Sequence, residues 1–195
     1  MMKKIVILFS GNGTNLENIA KKLHDKVEIV AAITNNPQAY GIQRAKKLGI
    51  PVVIIDHKKY ESRETFDEVL VKEIKKYKPD LVVMAGFMRI LSPVFTQNIK
   101  NVINIHPSLL PLFKGAKAIE RSYASDMKVA GVTVHWVSEE LDGGKIIDQA
   151  CFHRDNESLE EFEAKIHELE YELYPKVIAD LLDIFLQKES LSQGV

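Results

Sequence analysis

Two polar residues, Asn104 and His106, stand two positions apart at the end of a short apolar segment. If that segment is a strand, these two side chains share one face of it, and Ile103 and Ile105 point to the other face. An imidazole exchanges protons near neutral pH, and an amide donates to a developing oxyanion without titrating. Asp142, in a glycine-flanked loop, is a candidate partner for the histidine. The alternative is a histidine that serves only as a hydrogen-bonded structural residue.

The rest of the sequence narrows the type of chemistry. No serine or cysteine stands in the context of a nucleophile elbow, so the sequence does not indicate a covalent intermediate. The pattern favours direct transfer to a bound nucleophile, with charge stabilised on an acyl-type oxygen. The remaining histidines lack metal-ligand spacing, and the single Cys151 cannot form a thiolate site alone, so no metal is expected.

A second candidate site is the glycine-containing loop at residues 10–15, with the sequence SGNGTN. Thr14 and Glu17 have the spacing of a capping box, which predicts a helix whose positive end faces this loop. A phosphate is the natural ligand of such a helix start. A dinucleotide fingerprint would need a third glycine where Leu16 stands, and no Gly-Lys-Ser/Thr follows, so a monophosphate fits better. A tight turn that binds nothing is the alternative.

The elements that must position these residues are visible in the hydrophobic pattern. Four short apolar segments without alternation, at residues 5–9, 29–33, 52–55 and 81–84, are typical of parallel strands covered on both faces. Helical patterns at 15–23, 41–48 and 62–77 alternate with them, which predicts right-handed βαβ units. The first hundred residues therefore indicate an α/β protein.

The pattern changes after residue 100. A further strand is predicted at 102–105, a brief helix at 118–125, and two strands at 131–137 and 145–152 whose short connection indicates antiparallel pairing. Ser158 and Glu161 form a capping box that opens a long helix, which Pro175 is expected to kink or interrupt. The polar tail after about Lys188 is expected to be frayed. The predicted fold is a single open, mostly parallel twisted sheet with an antiparallel C-terminal portion and a long C-terminal helix.

Composition excludes several classes of protein. The chain has 195 residues, 46% hydrophobic and 27% charged, which is typical of one folded domain and not of a disordered chain. Its net charge of −1 disfavours nucleic-acid binding, which normally needs a basic excess. No segment is long and apolar enough to span a membrane or to act as a signal peptide. With one cysteine, a cytoplasmic location is expected.

Four sequence strings carry a resemblance to a known family: SGNGTN at 10–15, AGFMRILSP at 85–93, NIHPSLLP at 104–111 and ELDGG at 140–144. Together they resemble the phosphoribosylglycinamide formyltransferases, which use 10-formyltetrahydrofolate in purine synthesis. The resemblance runs from about residue 3 to residue 185. The HPSLLP and LDGG elements are shared with the wider group of formyltetrahydrofolate-using enzymes, whereas the first two strings are more specific.

The resemblance implies a Rossmann-like formyltransferase fold and a role for each matching residue. Asn104 would be the oxyanion donor, His106 the proton-active stabiliser, and Asp142 the carboxylate that tunes the histidine and orders water. The substrate's 5′-phosphate and ribose would bind Gly13, Thr14, Asn15 and Glu170. The residues implied to bind folate are Arg63, Met88, Arg89, Ile90, Leu91, Ser138, Glu139, Glu140, Leu141 and Asp142.

The resemblance also implies the domain organisation of the chain, its substrates and its oligomeric state. Residues 1–195 would form one formyltransferase domain, with a phosphate-binding half at about 1–100 and a catalytic and folate-binding half at about 101–188. Its partners would be glycinamide ribonucleotide and the formyl folate, with no metal, nucleic acid or membrane, in a monomer or homodimer. One departure is Lys114, which stands where the family usually has a proline before Gly115. This departure lies in the loop after the HPSLLP element and leaves the three candidate catalytic residues in place.

Three alternative functions share parts of this pattern. Methionyl-tRNA formyltransferases and formyltetrahydrofolate hydrolases share the HPSLLP core, but each normally carries an additional domain for which 195 residues leave no room. A non-catalytic sensor of nucleotide or folate is the alternative from a different class, because a fold alone never settles function. The presence of all three candidate catalytic residues favours the enzyme.

Overall fold

The computed structural model describes residues 1–184 and residue 186, and its centre is one seven-stranded sheet. The strands are β1 (Lys3–Phe9), β2 (Val27–Thr34), β3 (Val52–Ile54), β4 (Leu81–Met84), β5 (Val102–His106), β6 (Val129–Trp136) and β7 (Ile146–His153). The helices are α1 (Thr14–Lys22), α2 (Gly41–Lys47), α3 (Arg63–Tyr77), α4 (Pro93–Asn98), α5 (Ala118–Tyr123) and α6 (Leu159–Leu181). The predicted polar tail after Lys188 lies outside the described residues.

The strand order in the sheet is β3-β2-β1-β4-β5-β6-β7. The first five strands pair in parallel, whereas β6 is antiparallel to both β5 and β7. This confirms the predicted mixed sheet, mostly parallel with an antiparallel C-terminal portion. The order reverses between β1 and β4, and ligands of open α/β sheets bind outside the carboxyl ends of the strands at such a switch point.

The sheet is buried on both faces, which explains the non-alternating apolar strands. In β1, Ile5, Ile7 and Phe9 join a core cluster formed with α1, α2 and α6. Val6 and Leu8, on the opposite face, join a second cluster formed with α3 and α4. Helix α4 and a short 3-10 helix at His57–Lys59 were not among the sequence predictions. Among the described residues, no helix has the length and apolar character needed to cross a membrane.

The predicted capping box at Thr14 and Glu17 is wrong. Thr14 is the first residue of α1, and the N-cap is Gly13, which has a left-handed backbone (φ 75°) and offers no side chain. A Cβ at position 13 would lie 2.6 Å from the Cα of Gly41, so the loop passes closer to α2 than other residues allow. The carboxylate of Glu17 pairs with Arg44 instead. The first-turn N–H groups of α1 therefore have no side-chain cap.

The expected interruption at Pro175 is also not observed, because α6 continues from Leu159 to Leu181. A proline inside a helix leaves the carbonyl four residues earlier without its N–H partner, here that of Tyr171. The side-chain amide of Asn18, on α1, donates to that carbonyl at 2.9 Å. The packing of α1 against α6 thus supplies the missing donor. The predicted capping box of Ser158 with Glu161 is confirmed.

Candidate active site

A cleft of about 640 Å³ opens at the carboxyl ends of β1, β4 and β5. It is bounded by the start of α1, the segment after β4, the end of β5, and one face of α6. This volume is in the range of small-molecule sites. The cleft brings together ten of the residues singled out from the sequence: Thr14, Asn15, Met88, Arg89, Ile90, Asn104, His106, Leu141, Asp142 and Glu170.

Asn104 and His106 lie on the same face of β5, as their spacing predicts, and Ile103 and Ile105 are buried on the other face. The loop after β6 places Asp142 against the histidine, with its Oδ2 at 3.4 Å from His106 Nδ1. Both side chains are more than 90% buried. A carboxylate held this close to the ring and away from water is placed to orient the imidazole.

The other nitrogen of His106 also has a partner. Its Nε2 lies 2.8 Å from the backbone carbonyl of Phe113. Since a carbonyl only accepts, this contact requires an N–H at Nε2. The ring therefore has an oxygen atom near each nitrogen, the Phe113 carbonyl at Nε2 and the Asp142 carboxylate at Nδ1.

The carboxylate of Asp142 has two further neighbours. The backbone N–H of Gly115 donates to its Oδ2 at 2.8 Å, and His135 Nε2 lies 3.7 Å from its Oδ1. Burial lowers the pKa of His135, against opposing contributions from the carbonyl of Trp136 and from Asp142. Its Nδ1 contacts that carbonyl at 2.9 Å, whereas its buried Nε2 has no hydrogen-bond partner within the described part of the chain.

His135 is a residue of this site that the sequence analysis missed. It was considered there only as one of the histidines without metal-ligand spacing, and it lies in β6. In the sheet, Asn104 pairs with His135 and His106 with Thr133, so a second polar pair faces the first across antiparallel strands. The signal was the alternation of Thr133 and His135 with buried valines, which could be interpreted only once the register with β5 was known.

The glycine loop lines a neighbouring cavity of about 510 Å³ together with the ends of β2 and β4. Gly13, Thr14 and Asn15 all border this cavity, and the last two also border the main cleft. The side-chain Oδ1 of Asn15 is buried and has no hydrogen-bond partner among the residues described. With the uncapped start of α1, this loop presents unpaired polar groups to both cavities.

Glu170 reaches the cleft from α6, and it is buried although it is acidic. Its Oε2 lies 2.9 Å from Nδ1 of His167, one turn earlier on the same helix. This hydrogen bond raises the pKa of His167, against the opposing effect of burial. A protonated His167 therefore offsets the charge that Glu170 brings into the cleft.

The segment after β4 contributes apolar side chains that are exposed to the cleft. Met88 is 82% exposed and Ile90 is 50% exposed, so neither is an ordinary core residue. Arg89 also borders the cleft, and its guanidinium stacks over Phe66 at 4.7 Å from the ring centroid. A small adjoining cavity of about 40 Å³ gathers Leu91 with the rest of the loop implied to bind folate, namely Ser138, Glu139 and Glu140.

Two residues stand apart from these groupings. Arg63 is exposed at the start of α3 and lines none of the three cavities described above. Lys114, the departure from the family's pattern, extends its ammonium to Glu140 at 2.8 Å. This ion pair links the segment after β5 to the loop that carries Asp142. Among the described residues, no group of three or more His, Cys, Asp or Glu side chains could hold a metal ion.

Comparisons with known proteins identify the family of this chain. Residues 3–178 match the formyl transferase family. The chain is 37% identical over 188 residues to phosphoribosylglycinamide formyltransferase of Bacillus subtilis, covering 94% of this chain and 96% of the relative. The enzyme of the same name from Haemophilus influenzae is 41% identical over 184 residues, with 91% and 86% covered.

A solved structure gives the same result. The crystal structure of phosphoribosylglycinamide formyltransferase from Campylobacter jejuni superposes with a TM-score of 0.90 at 61% identity, covering 93% of this chain and 98% of the other. The matches extend over nearly the whole described structure, including every strand of the sheet. The chain therefore belongs to the formyl transferase family, within the group of phosphoribosylglycinamide formyltransferases.

Proposed function

We propose that this protein transfers the formyl group of 10-formyltetrahydrofolate to the amine of 5-phosphoribosylglycinamide, in purine biosynthesis. The products are formylglycinamide ribonucleotide and tetrahydrofolate. The observation that carries the proposal is the meeting of Asn104, His106 and Asp142 in one cleft, in a chain of this family. A sensor would have no use for a buried carboxylate set against a buried imidazole.

The ribonucleotide would bind at the α1 side of the cleft. The uncapped N–H groups after Gly13, with Thr14 and Asn15, suit a 5′-phosphate. Glu170, which borders the same cleft from α6, accepts hydrogen bonds and suits the ribose hydroxyls. Phosphate and ribose contacts at these residues would hold the glycinamide amine toward Asn104 and His106, which line the same cleft.

The folate would bind at the β4 side. Exposed Met88 and Ile90 suit the flat faces of a pterin, and the backbone of residues 138–142 offers polar groups for its edges. Arg89 and Arg63 are basic groups for the acidic end of a folate. Arg63 lies outside the cavities and would contact only a part of the ligand that extends beyond the cleft.

In the reaction, the lone pair of the amine attacks the formyl carbon, and the carbonyl electrons move to oxygen. Asn104 donates to this oxyanion, and the imidazolium of His106 stabilises it, with Asp142 holding the ring's positive charge. The oxyanion then reforms the carbonyl while the bond from carbon to N10 breaks. The proton lost by the amine passes through ordered water beside Asp142 to N10. No covalent bond to the protein is formed.

His106 must change its hydrogen bonds for this role. Its Nε2 is occupied by the Phe113 carbonyl and its Nδ1 faces Asp142, so neither nitrogen is free for an oxyanion. The Nε2–H can turn to the substrate if the segment carrying Phe113 shifts when substrates bind. Such a shift would exchange a hydrogen bond to a neutral carbonyl oxygen for a stronger one to a negatively charged oxygen.

The organisation of the protein follows from the same proposal. Residues 1–195 would act as one domain, with phosphate binding mainly in residues 1–100 and catalysis and folate binding mainly in 101–188. We also propose a cytoplasmic location, which suits the exposed, unpaired Cys151, and a monomer or homodimer in solution. Sedimentation velocity at two protein concentrations measures the oligomeric state directly.

The test combines the purified protein with 10-formyltetrahydrofolate and glycinamide ribonucleotide and follows the deformylated folate. Turnover that requires the ribonucleotide is the expected result. Turnover without it would mean that water is the acceptor, and a hydrolase would replace the transferase. Absence of turnover, with either ligand bound, would favour the sensor.

A further inference from the structure

The folate-facing segment Met88–Ser92 contains no regular secondary structure, so its shape depends on contacts with other elements. At one end, the backbone N–H of Met88 donates to the hydroxyl of Ser10 at 2.8 Å. At the other end, the backbone N–H of Ser92 donates to the carboxylate of Asp67 at 2.6 Å. The segment is thus held at both ends by side chains from elsewhere in the chain.

Asp67 is an unusual residue for this position. It lies in α3 and is completely buried, although acidic residues are almost never fully buried unless they are paired. Burial raises the pKa of its carboxyl, whereas the hydrogen bonds from Ser92 and the charges of Arg89 and Arg63 lower it. A buried carboxylate costs free energy, so its contacts with the segment after β4 must compensate.

Arg89 provides the second link between α3 and the segment. Its guanidinium lies over the ring of Phe66, the residue before Asp67. Its Nε is buried and has no hydrogen-bond partner in the described part of the chain, and the same is true of Asp67 Oδ1. A buried guanidinium N–H and a buried carboxylate oxygen thus both lack a hydrogen-bond partner, and the charges of Arg89 and Asp67 attract each other.

We propose that Asp67 is a positioning residue that holds Met88–Ser92 in the shape that receives the folate. The proposal rests on the proposed function, because it takes the cleft wall formed by Met88, Arg89 and Ile90 as the folate wall. Asp67 itself does not line the cleft, so it acts through the backbone of Ser92 and the charge of Arg89. The alternative is that Asp67 only stabilises the start of α4.

The test compares Asp67→Asn with the matched control Glu68→Gln. Asparagine keeps the size of the side chain and an acceptor for the Ser92 N–H but removes the charge. Glu68 is the next residue of α3, is exposed, and loses the same charge without touching the segment. We expect the KM for 10-formyltetrahydrofolate to rise about tenfold in Asp67→Asn, because the Ser92 N–H then has only a neutral acceptor and Arg89 loses the opposite charge beside it. The kcat and the KM for glycinamide ribonucleotide should stay within about twofold, as should all constants of Glu68→Gln.

A direct binding measurement separates this inference from the proposed function. The Kd for tetrahydrofolate, measured by calorimetry without oxygen, should also rise about tenfold in Asp67→Asn. If the wild-type protein showed no turnover, the proposed function would fail while this comparison remained decisive. An unchanged Kd and KM for folate would overturn the inference. A fall in kcat together with similar rises in both KM values would also overturn the inference, because such a result indicates general destabilisation of the protein.

A second variant covers the case in which Asp67→Asn does not fold. Ser92→Pro removes the N–H donor from the other side of the same contact, and the φ of Ser92, −83°, is close to the angle that proline requires. It should reproduce the selective rise in the KM and Kd for folate. A folded Ser92→Pro variant with wild-type folate binding would overturn the proposal.

Discussion

The carboxylate of Asp142 is the group whose removal should most affect the reaction. Replacing it by asparagine keeps the shape of the side chain and an oxygen that accepts from Gly115. The backbone should not resist, because Asp142 has a φ of 51°, and asparagine tolerates this left-handed region better than most residues. The substitution therefore removes the charge beside His106 while leaving the loop in place.

The magnitude follows from the separation of the charges. At 3.4 Å and an effective dielectric constant of about 20, the attraction between the carboxylate and an imidazolium is roughly 5 kcal/mol. Only the part of this attraction that is stronger in the transition state than in the ground state affects kcat. If about half of it is differential, kcat falls by roughly 100-fold, since each 1.36 kcal/mol is a factor of ten. General acid–base groups typically contribute about 100- to 10,000-fold.

The assay follows deformylated folate at saturating concentrations of both substrates, in wild type and in Asp142→Asn. The matched control is Asp148→Asn. Asp148 lies on β7 outside the cleft, and the substitution removes its carboxylate from an ion pair with Lys176 of α6. The control should keep its kcat within about twofold. A kcat of Asp142→Asn within tenfold of wild type would refute the assigned role of the carboxylate, and so would an equal loss in the control.

Three further predictions concern stability. Gly13→Ala should lower the free energy of unfolding in urea by roughly 1–3 kcal/mol, because position 13 has a positive φ and a Cβ there would touch the backbone of Gly41. The control Gly11→Ala should leave this free energy nearly unchanged, since a Cβ at position 11 meets nothing within 4 Å. Glu170 raises the pKa of His167, so this pair stabilises the protein below about pH 6.5, and the stabilisation is lost as the pH rises through the raised pKa of His167. The Tm of the wild type should therefore fall over this pH range, and His167→Gln should remove that fall. Asn18→Ala should lower the free energy of unfolding by about 1–2 kcal/mol, because the carbonyl opposite the proline of α6 loses its donor.

Each of these predictions has a result that contradicts it. Equal effects of Gly11→Ala and Gly13→Ala would show that the close approach of the loop to α2 is not limiting. If Tm changed with pH in the same way in wild type and His167→Gln between pH 6 and 9, the pair of His167 and Glu170 would not contribute to the pH dependence of stability. A neutral Asn18→Ala would show that water replaces the amide at the carbonyl of Tyr171.

The arrangement of strands and helices could be predicted because local composition and burial agree. A short apolar run without alternating polar residues, such as residues 81–84, is typical of a strand covered on both faces, and β4 occupies those same residues. The errors occurred where tertiary contacts decide. Thr14 matches a capping pattern, but the close approach of Gly13 to α2 shifts the helix start. Pro175 predicts a kink or an interruption, and the interruption is absent because an amide from another helix supplies the missing donor.

The candidate site was only partly predictable for a related reason. Asn104 and His106 could be identified from the alternation of polar and apolar residues within one strand, which is visible in the local sequence. His135 depends on the register between β5 and β6, and the carbonyl of Phe113 depends on the path of an irregular segment. Asp67 stands in a helix whose pattern suggests no role, because its contact with the segment after β4 is made across 25 residues of sequence. Such contacts are properties of the folded chain.

The irregular segment after β5 completes the site through its backbone. Backbone groups of residues 108–115 pair with His106, with Asp142 and with Thr133, which are all buried polar residues. Because unpaired buried polar groups are costly, a change in the path of this segment would disturb all three at once. A side-chain substitution that leaves the path intact should cost little. This accounts for Lys114 in place of the family's usual proline, since its side chain extends to Glu140 and takes no part in these backbone contacts.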